Sequence, residues 1–199
     1  MKDKWYGDNR DLVKWGVLLR LASQYEAGKI VQVAYYRPET IEIDGVRHLM
    51  PDAVIRHFSR HVADIARLSS PSVQIEVFDL PLLSRDAYMK GAQAALVNLI
   101  SSASPCIIFL DPDTGLEPVK KPELEHVLES ELAQIWSAMR AEDVLVFYQH
   151  KTDRKKGTSW IEPKQRQLEA ALDLPCGVAK MARGEAATDV VFFFAQKNR

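Results

Sequence analysis

An uninterrupted apolar run, Cys106–Leu110, sets the strongest limit on the fold of this chain. The run, CIIFL, carries no charged side chain and is followed at once by the turn segment DPDTG. Short apolar runs that end in turn residues are typical of strands buried on both faces, as in a parallel sheet. Because such sheets bind ligands beyond the carboxyl ends of their strands, Asp111 and Asp113 are expected at a functional edge.

Helix-like and strand-like segments alternate along the rest of the chain. Amphipathic spacing predicts helices, and short runs rich in β-branched and aromatic residues predict strands. The predicted helices are 9–23, 51–67, 84–102, 122–140 and 162–174, and the predicted strands are 29–37, 73–80, 106–110, 143–150, 177–183 and 188–196. This alternation predicts one domain over residues 1–199 with a doubly wound, mostly parallel, Rossmann-like α/β sheet. Only GEAA separates the last two strands, which predicts a terminal antiparallel hairpin.

Composition excludes several classes of protein. The chain is 47% hydrophobic, but no apolar run approaches the ~20 residues that cross a bilayer. The start, MKDKWYGDNR, lacks the apolar stretch and cleavage site of an export signal, which predicts a cytoplasmic location. The cysteines form no C-x-x-C pair, so a zinc ribbon has no support. A net charge of -1 leaves only a local basic patch for contact with nucleic acid.

Two stretches resemble the adenine-N6 methyltransferases that modify large-subunit ribosomal RNA. The segment GDNRDLVKW matches that family's G-N-x-A-D-V-x-K-H at Gly7, Asp11 and Lys14. FLDPDTGLEP stands where the family carries D-P-P-Y-E, and VLVFYQH follows in the place of its next strand. The chain also resembles bacterial proteins of unassigned activity that share D-P-D-x-G and Y-Q-H segments. Together with the terminal hairpin, the resemblance implies a class I methyltransferase-like sheet.

The resemblance and the strand-end positions suggest roles for particular residues. The resemblance puts Asp111 on the exocyclic amine of a flipped target base. Asp113, by position, and His150, because histidine can serve as acid or base, complete the catalytic candidates. Residues expected to bind substrate are Glu117, Gln149, Lys151 and Arg154. Residues expected beside the cofactor of the family, S-adenosylmethionine, are Asp11, Lys14, Tyr35 and Asp79.

The segment after the first predicted strand departs from the family. The family has a glycine-rich loop there, since glycine lets the backbone approach the cofactor closely. This chain has VAYYRPET instead, and Tyr35, Tyr36 and Pro38 would fill the space of the cofactor. Thr114 stands where the family has the tyrosine that stacks on the base. We therefore expect S-adenosylmethionine to bind weakly or not at all.

Two alternatives to methyl transfer stay open. The D-x-D-x-G pattern that begins at Asp111 resembles the start of a calcium or magnesium loop, with Glu117 as a third ligand. A divalent metal is therefore a second candidate cofactor. Asp113 with Gln149 and Lys151 also fits the loose P-D…(D/E/Q)-x-K pattern of magnesium-dependent nucleases. One alternative is therefore a metal-dependent nuclease or hydrolase that uses Asp111, Asp113 and Lys151. The other alternative is a binding module that kept the fold and lost the chemistry.

The segment QHKTDRKKG supplies the local basic patch. It follows the predicted strand 143–150 at the same sheet edge as DPDTG, and it contains Lys151, Arg154, Lys155 and Lys156. Clustered lysine and arginine side chains contact the phosphates of nucleic acids. The sequence therefore predicts a polar site at the strand ends, with nucleic acid as the candidate partner.

Overall fold

The structure is a computed structural model that describes residues 7–38, 40–51, 54, 62–99, 104–151 and 157–198. The described helices are α1 (Asn9–Gln24), α2 (Arg85–Leu99), α3 (Glu129–Ala138) and α4 (Ile161–Ala171), with a 3-10 helix at Val62–Leu68. The described strands are β1 (Lys29–Val33), β2 (Thr40–Ile43), β3 (Val46–Leu49), β4 (Gln74–Phe78), β5 (Cys106–Leu110), β6 (Gly115–Leu116), β7 (His126–Val127), β8 (Val144–His150), β9 (Lys180–Gly184) and β10 (Ala187–Gln196). Within these ranges, no helix has the length and apolar character needed to cross a membrane.

A six-stranded sheet forms the centre of the fold, in the order β4-β1-β5-β8-β10-β9. β1 pairs in parallel with β4 and β5, and β5 pairs in parallel with β8. β10 runs antiparallel to both of its neighbours, β8 and β9. The prediction of a doubly wound, mostly parallel sheet that ends in an antiparallel hairpin is confirmed. β5 lies between two parallel neighbours, β1 and β8.

Both faces of the sheet are covered, because alternate residues of β5 enter different cores. Ile108 packs in one core with residues of α2, α3 and α4. Phe109 packs in the opposite core with Trp15 and Leu18 of α1. Every residue of β5 is buried, which explains why the run CIIFL carries no charge.

The direction in which the chain crosses the sheet changes at β1. From β1 the chain passes to β4 on one side, and it then returns past β1 to β5 on the other side. The carboxyl ends of β1 and β5, at Val33 and Leu110, therefore flank a crevice. This crevice is the topological switch point, where open α/β sheets bind ligands.

The first turn of α1 is fixed by its N-cap, Asp8. Oδ1 of Asp8 accepts hydrogen bonds from the backbone N–H groups of Arg10 at 2.8 Å and Asp11 at 3.0 Å. Asp8 thus satisfies two N–H groups that have no partner within the helix. The cap sets the position of Asp11 and Lys14 at the edge of the sheet.

The first strand and the second helix differ from their predicted ranges. The first strand ends at Val33 rather than at residue 37, because Tyr35 has a φ of 46°, which lies outside the extended region. Of the predicted helix 51–67, residues 52–53 and 55–61 lie outside the described residues, and Val62–Leu68 is a 3-10 helix.

The helix predicted over 122–140 is also wrong at its start. α3 begins only at Glu129, because His126 and Val127 pair in parallel with Gly115 and Leu116. The backbone of the preceding residues is therefore part of the loop that carries DPDTG. This pairing brings residues 126–127 back beside residues 115–116, at the carboxyl end of β5.

Candidate functional site

A buried ion-pair network lies at the carboxyl end of β5. Nζ of Lys14 lies 2.7 Å from Oδ1 of Asp11 and 2.9 Å from Oδ2 of Asp111. Nε2 of Gln32, on β1, donates to the same Asp111 oxygen at 2.6 Å, and the backbone N–H of Gly7 donates to Asp11 at 2.6 Å. We call Asp11, Lys14, Gln32 and Asp111 the Lys14 network. Both stretches that carry the methyltransferase resemblance, 97 positions apart at Lys14 and Asp111, meet in it.

Burial strengthens the electrostatic interactions of the Lys14 network. The side chains of Lys14 and Asp111 are only 5% and 2% exposed. Burial raises the pKa of the Asp111 carboxyl group, and the Lys14 ammonium group opposes that rise. Burial also tends to lower the pKa of Lys14, but Asp111 and Asp11 outweigh it, so the pKa is raised. Lys14 is therefore held as a cation, 5.6 Å from the ring centre of Tyr148.

Asp113 binds a different cation at the switch-point crevice. Its carboxylate forms an ion pair with Nη2 of Arg37, and Nη1 of Arg37 lies 3.6 Å from Oε2 of Glu125. Arg37 follows β1 and Asp113 follows β5, so the pair spans the crevice. The sequence alone does not predict Arg37 and Glu125 as site residues, because neither lies in a recognisable motif and only the sheet topology brings them to Asp113.

Gln149 holds the DPDTG segment against β8. Its buried Oε1 accepts from the N–H of Leu116 at 2.9 Å, and its Nε2 donates to the carbonyl groups of Thr114 at 3.3 Å and His150 at 2.8 Å. Gly115, with a φ of 124°, lies so close that a Cβ there would overlap the Gln149 amide. The structure thus engages this predicted substrate-binding residue in support of the loop.

Glu117 is likewise engaged inside the protein. Its Oε1 accepts from the backbone N–H of Glu129 at 2.7 Å, at the first residue of α3. Its carbonyl oxygen accepts from Nζ of Lys164 at 2.8 Å and from Nε2 of Gln167 at 3.0 Å. A carboxylate in this place satisfies an N–H group that has no partner within the helix. Glu117 therefore connects the DPDTG loop to α3 and α4.

His150 joins a charged cluster at the adjoining ends of β8 and β10. Its Nε2 lies 3.1 Å from Oδ2 of Asp189, and its Nδ1 lies 3.1 Å from the carbonyl oxygen of Lys151. Arg10 donates to Asp189 at 2.6 Å, and this hydrogen bond holds the pKa of the Asp189 carboxyl group below its usual range. Arg10 and Asp189 are 179 positions apart, and no sequence motif predicts their pairing.

A cavity of about 760 Å³ opens beside this cluster. Its lining consists of Lys151, Gly157, Thr158, Arg183, Gly184, Glu185, Thr188 and Asp189. Lys151 follows β8 and Arg183 lies near the end of β9, so both cations stand at the carboxyl ends of strands. Arg154, the remaining predicted substrate-binding residue, lies outside the described residues. We call this space the Lys151 cavity.

The residues after β1 do not fit the usual cradle of S-adenosylmethionine. Tyr35 is only 2% exposed, and its φ of 46° lies in the left-handed region that favours glycine. Its N–H donates to Oη of Tyr88 at 2.8 Å, and Tyr36 packs beside Val77. Two buried tyrosines therefore occupy the turn at which a glycine loop would let the backbone approach the cofactor. Asp79 lies half-buried directly after β4.

The two carboxylates of DPDTG are neutralised by separate cations. Asp111 binds Lys14, Asp113 binds Arg37, and Glu117 binds the start of α3. In the part of the chain that the structure describes, no three histidine, cysteine, aspartate or glutamate side chains are grouped to hold a metal ion. This arrangement does not favour the nuclease alternative.

Comparisons with known proteins assign no family to this chain. No family model and no curated protein matches it, so membership in the ribosomal RNA methyltransferase family is not confirmed. It is similar to the crystal structure of a DUF574 family protein from Streptomyces avermitilis MA-4680, with 8% identity and a TM-score of 0.43, over 95% of this chain and 82% of that chain. It is also similar to the structure of a candidate methyltransferase from Thermobifida fusca YX, with 13% identity and a TM-score of 0.45, over 96% of this chain and 80% of that chain. Both similarities are too low to carry an argument about function.

Proposed function

We propose that this chain is a methyltransferase-like protein that binds nucleic acid at the carboxyl edge of its sheet, with phosphate groups in the Lys151 cavity. The lining of that cavity is the observation that supports the proposal most directly. Lys151 and Arg183 supply positive charge, and Thr158 and Thr188 supply hydroxyl donors. These are the groups that contact phosphate oxygens in protein–nucleic acid complexes.

Two acidic residues, Glu185 and Asp189, line the cavity together with its cations. Asp189 is already paired with Arg10 and lies within hydrogen-bond distance of His150, so its negative charge is compensated locally. Lys151 and Gly157, which both line the cavity, bracket the sequence TDRKK. The proposal therefore extends to the predicted contact through Arg154.

Substitution of the two cavity cations should weaken nucleic acid binding. We expect Lys151→Ala and Arg183→Ala each to lower the affinity for single-stranded RNA. The loss should be similar for all base sequences, because phosphate contacts carry no sequence information. Each should also reduce the slope of log affinity against log salt by about 1, as one phosphate contact is lost. Fluorescence anisotropy over a salt series measures both quantities.

Lys180→Ala is the matched control, because Lys180 is exposed on β9 but does not line the cavity. The proposal fails if the wild-type protein binds no RNA or DNA at low salt. It also fails if Lys180→Ala weakens binding as much as Arg183→Ala.

Methyl transfer to nucleic acid is the second candidate function. The meeting of Asp11 and Lys14 with Asp111 favours it, since these residues come from the two separate stretches that resemble one methyltransferase family. The buried Tyr35 weighs against it, because it replaces the close-approach glycine.

Calorimetry with S-adenosylmethionine distinguishes the two functions. We expect a dissociation constant weaker than roughly 10 μM, which corresponds to about -7 kcal/mol, because the turn after β1 carries bulky side chains. Tighter binding would show that a different loop holds the cofactor, and methyl transfer would then become the proposed activity. In that case Asp111→Asn should remove methyl transfer to RNA while cofactor binding persists.

A further inference from the structure

The guanidinium group of Arg37 lies at the switch-point crevice with only part of its hydrogen-bonding capacity used. Nη2 is paired with Asp113, whereas Nη1 is 3.6 Å from Glu125. Nε is buried and has no hydrogen-bond partner among the described residues. A buried donor of a charged group that lacks an acceptor costs about 1–3 kcal/mol, so its persistence points to an acceptor supplied by a ligand.

The position of Arg37 and the chemistry of its guanidinium group together limit the chemical class of that ligand. The side chain is 24% exposed, so it is largely held by its surroundings and still reaches solvent. Arginine stays positively charged at all ordinary pH values, and its planar fork matches the paired oxygens of a phosphate group. Asp113, whose Oδ2 is paired with Nη2 of the same fork, stands where an oxygen of that ligand would bind.

We propose that Arg37 binds a phosphate group of the nucleic acid at the switch-point crevice, and that Asp113 competes for Arg37 when nucleic acid is absent. This inference rests on the proposed function and adds a second contact point to it. Arg37 follows β1 and Lys151 follows β8, so a strand of nucleic acid held at both points would run along the carboxyl edge of the sheet.

A double-mutant cycle on Arg37 and Asp113 tests the competition. In anisotropy titrations with single-stranded RNA, Arg37→Ala should lower the affinity about tenfold, and Arg37→Lys should lower it less, because it keeps the charge but loses the fork. Asp113→Asn should raise the affinity severalfold, because it removes the competing carboxylate. The gain from Asp113→Asn should vanish in the Arg37→Ala background.

The cycle separates competition from a general loss of negative charge. If Asp113→Asn raises the affinity equally with and without Arg37, its effect is long-range electrostatics and the proposal is overturned. The gain from Asp113→Asn also keeps the test valid should Arg37→Ala fold poorly, since a loss of structure does not improve binding.

A thermal-shift measurement with inorganic phosphate identifies the source of the phosphate group. A comparison of the Lys151 and Arg37 variants then shows whether a negative result contradicts this inference or the proposed function. Inorganic phosphate alone should raise the melting temperature less than RNA does. If phosphate gives an Arg37-dependent rise and RNA affinity does not depend on Arg37, the ligand is a free phosphate compound and the nucleic acid assignment is overturned. If Lys151→Ala weakens RNA binding while the Arg37 and Asp113 variants do not change it, this inference fails and the proposed function stands.

Discussion

Lys14→Met is expected to destabilise the protein by about 3 to 5 kcal/mol at neutral pH, the usual cost of removing one partner from a buried ion pair. Lys14 is the cation between Asp11 and Asp111, and its side chain is 5% exposed. Methionine fills a similar volume, so the loss reflects charge rather than a cavity. Urea unfolding followed by circular dichroism measures the free energy of unfolding.

The effect of Lys14→Met should depend on pH in a defined direction. The folded-state pKa of Asp111 is raised by burial, and loss of the Lys14 ammonium group removes the charge that opposes this rise. The folded variant therefore holds a proton that the unfolded chain releases, and its stability falls as pH rises through that pKa. Consequently the deficit of Lys14→Met relative to the wild type should shrink as the pH is lowered from neutral.

Two variants control this prediction. Lys14→Met/Asp111→Asn should recover part of the lost stability, because it removes one of the two uncompensated carboxylates. Lys90→Met, at an exposed position on α2, should change stability by less than about 0.5 kcal/mol. Equal losses in Lys14→Met and Lys90→Met would contradict the assignment of Lys14 as the charge that holds the network together.

Gly115→Ala should destabilise the protein by about 2 to 5 kcal/mol. Two costs add. The φ of 124° is strained for alanine, and the new Cβ overlaps the amide group of Gln149, which is fully buried and hydrogen-bonded to three backbone groups. To relieve this overlap, the Gln149 amide would have to move, and the Leu116 N–H would then lose its acceptor. Thermal and urea unfolding measure the loss.

Gly177→Ala separates the two costs. Gly177 has a φ of 83° and no atom within 4 Å of a Cβ built there, so alanine meets only the conformational strain. We expect a loss of about 1 kcal/mol, at the low end for such strain. If Gly115→Ala is no worse than Gly177→Ala, then Gln149 does not constrain the DPDTG loop as the structure indicates.

The sheet was predictable from the sequence because hydrophobic patterning alone determines most of it. The run CIIFL is buried on both faces, and such runs between helical segments have few other solutions than a parallel sheet. The start of α3 was not predictable in the same way. Residues 122–128 have a pattern compatible with a helix. In the structure, however, His126 and Val127 form a short strand that pairs with Gly115 and Leu116, so no helix forms there.

The candidate site was predictable in position but not in its internal pairing. Strand-end reasoning placed Asp111, Asp113 and His150 at one edge, and their roles stay predictions. The partners that neutralise them, Lys14 for Asp111 and Arg37 for Asp113, depend on distances between elements that are far apart in the chain. Tyr35 shows the same limit, because tyrosine rarely adopts a positive φ and no local pattern signals it.

The long separation between Arg10 and Asp189 has a consequence for synthesis on the ribosome. Helix α1 precedes every described strand in the chain, but its apolar residues Trp15 and Leu18 share a core with Phe192 of β10, the last described strand. That side of the sheet cannot close until β10 has left the exit tunnel. We therefore expect α1 to stay uncovered while the residues between α1 and β10 are synthesised, and folding of this half to wait for β10.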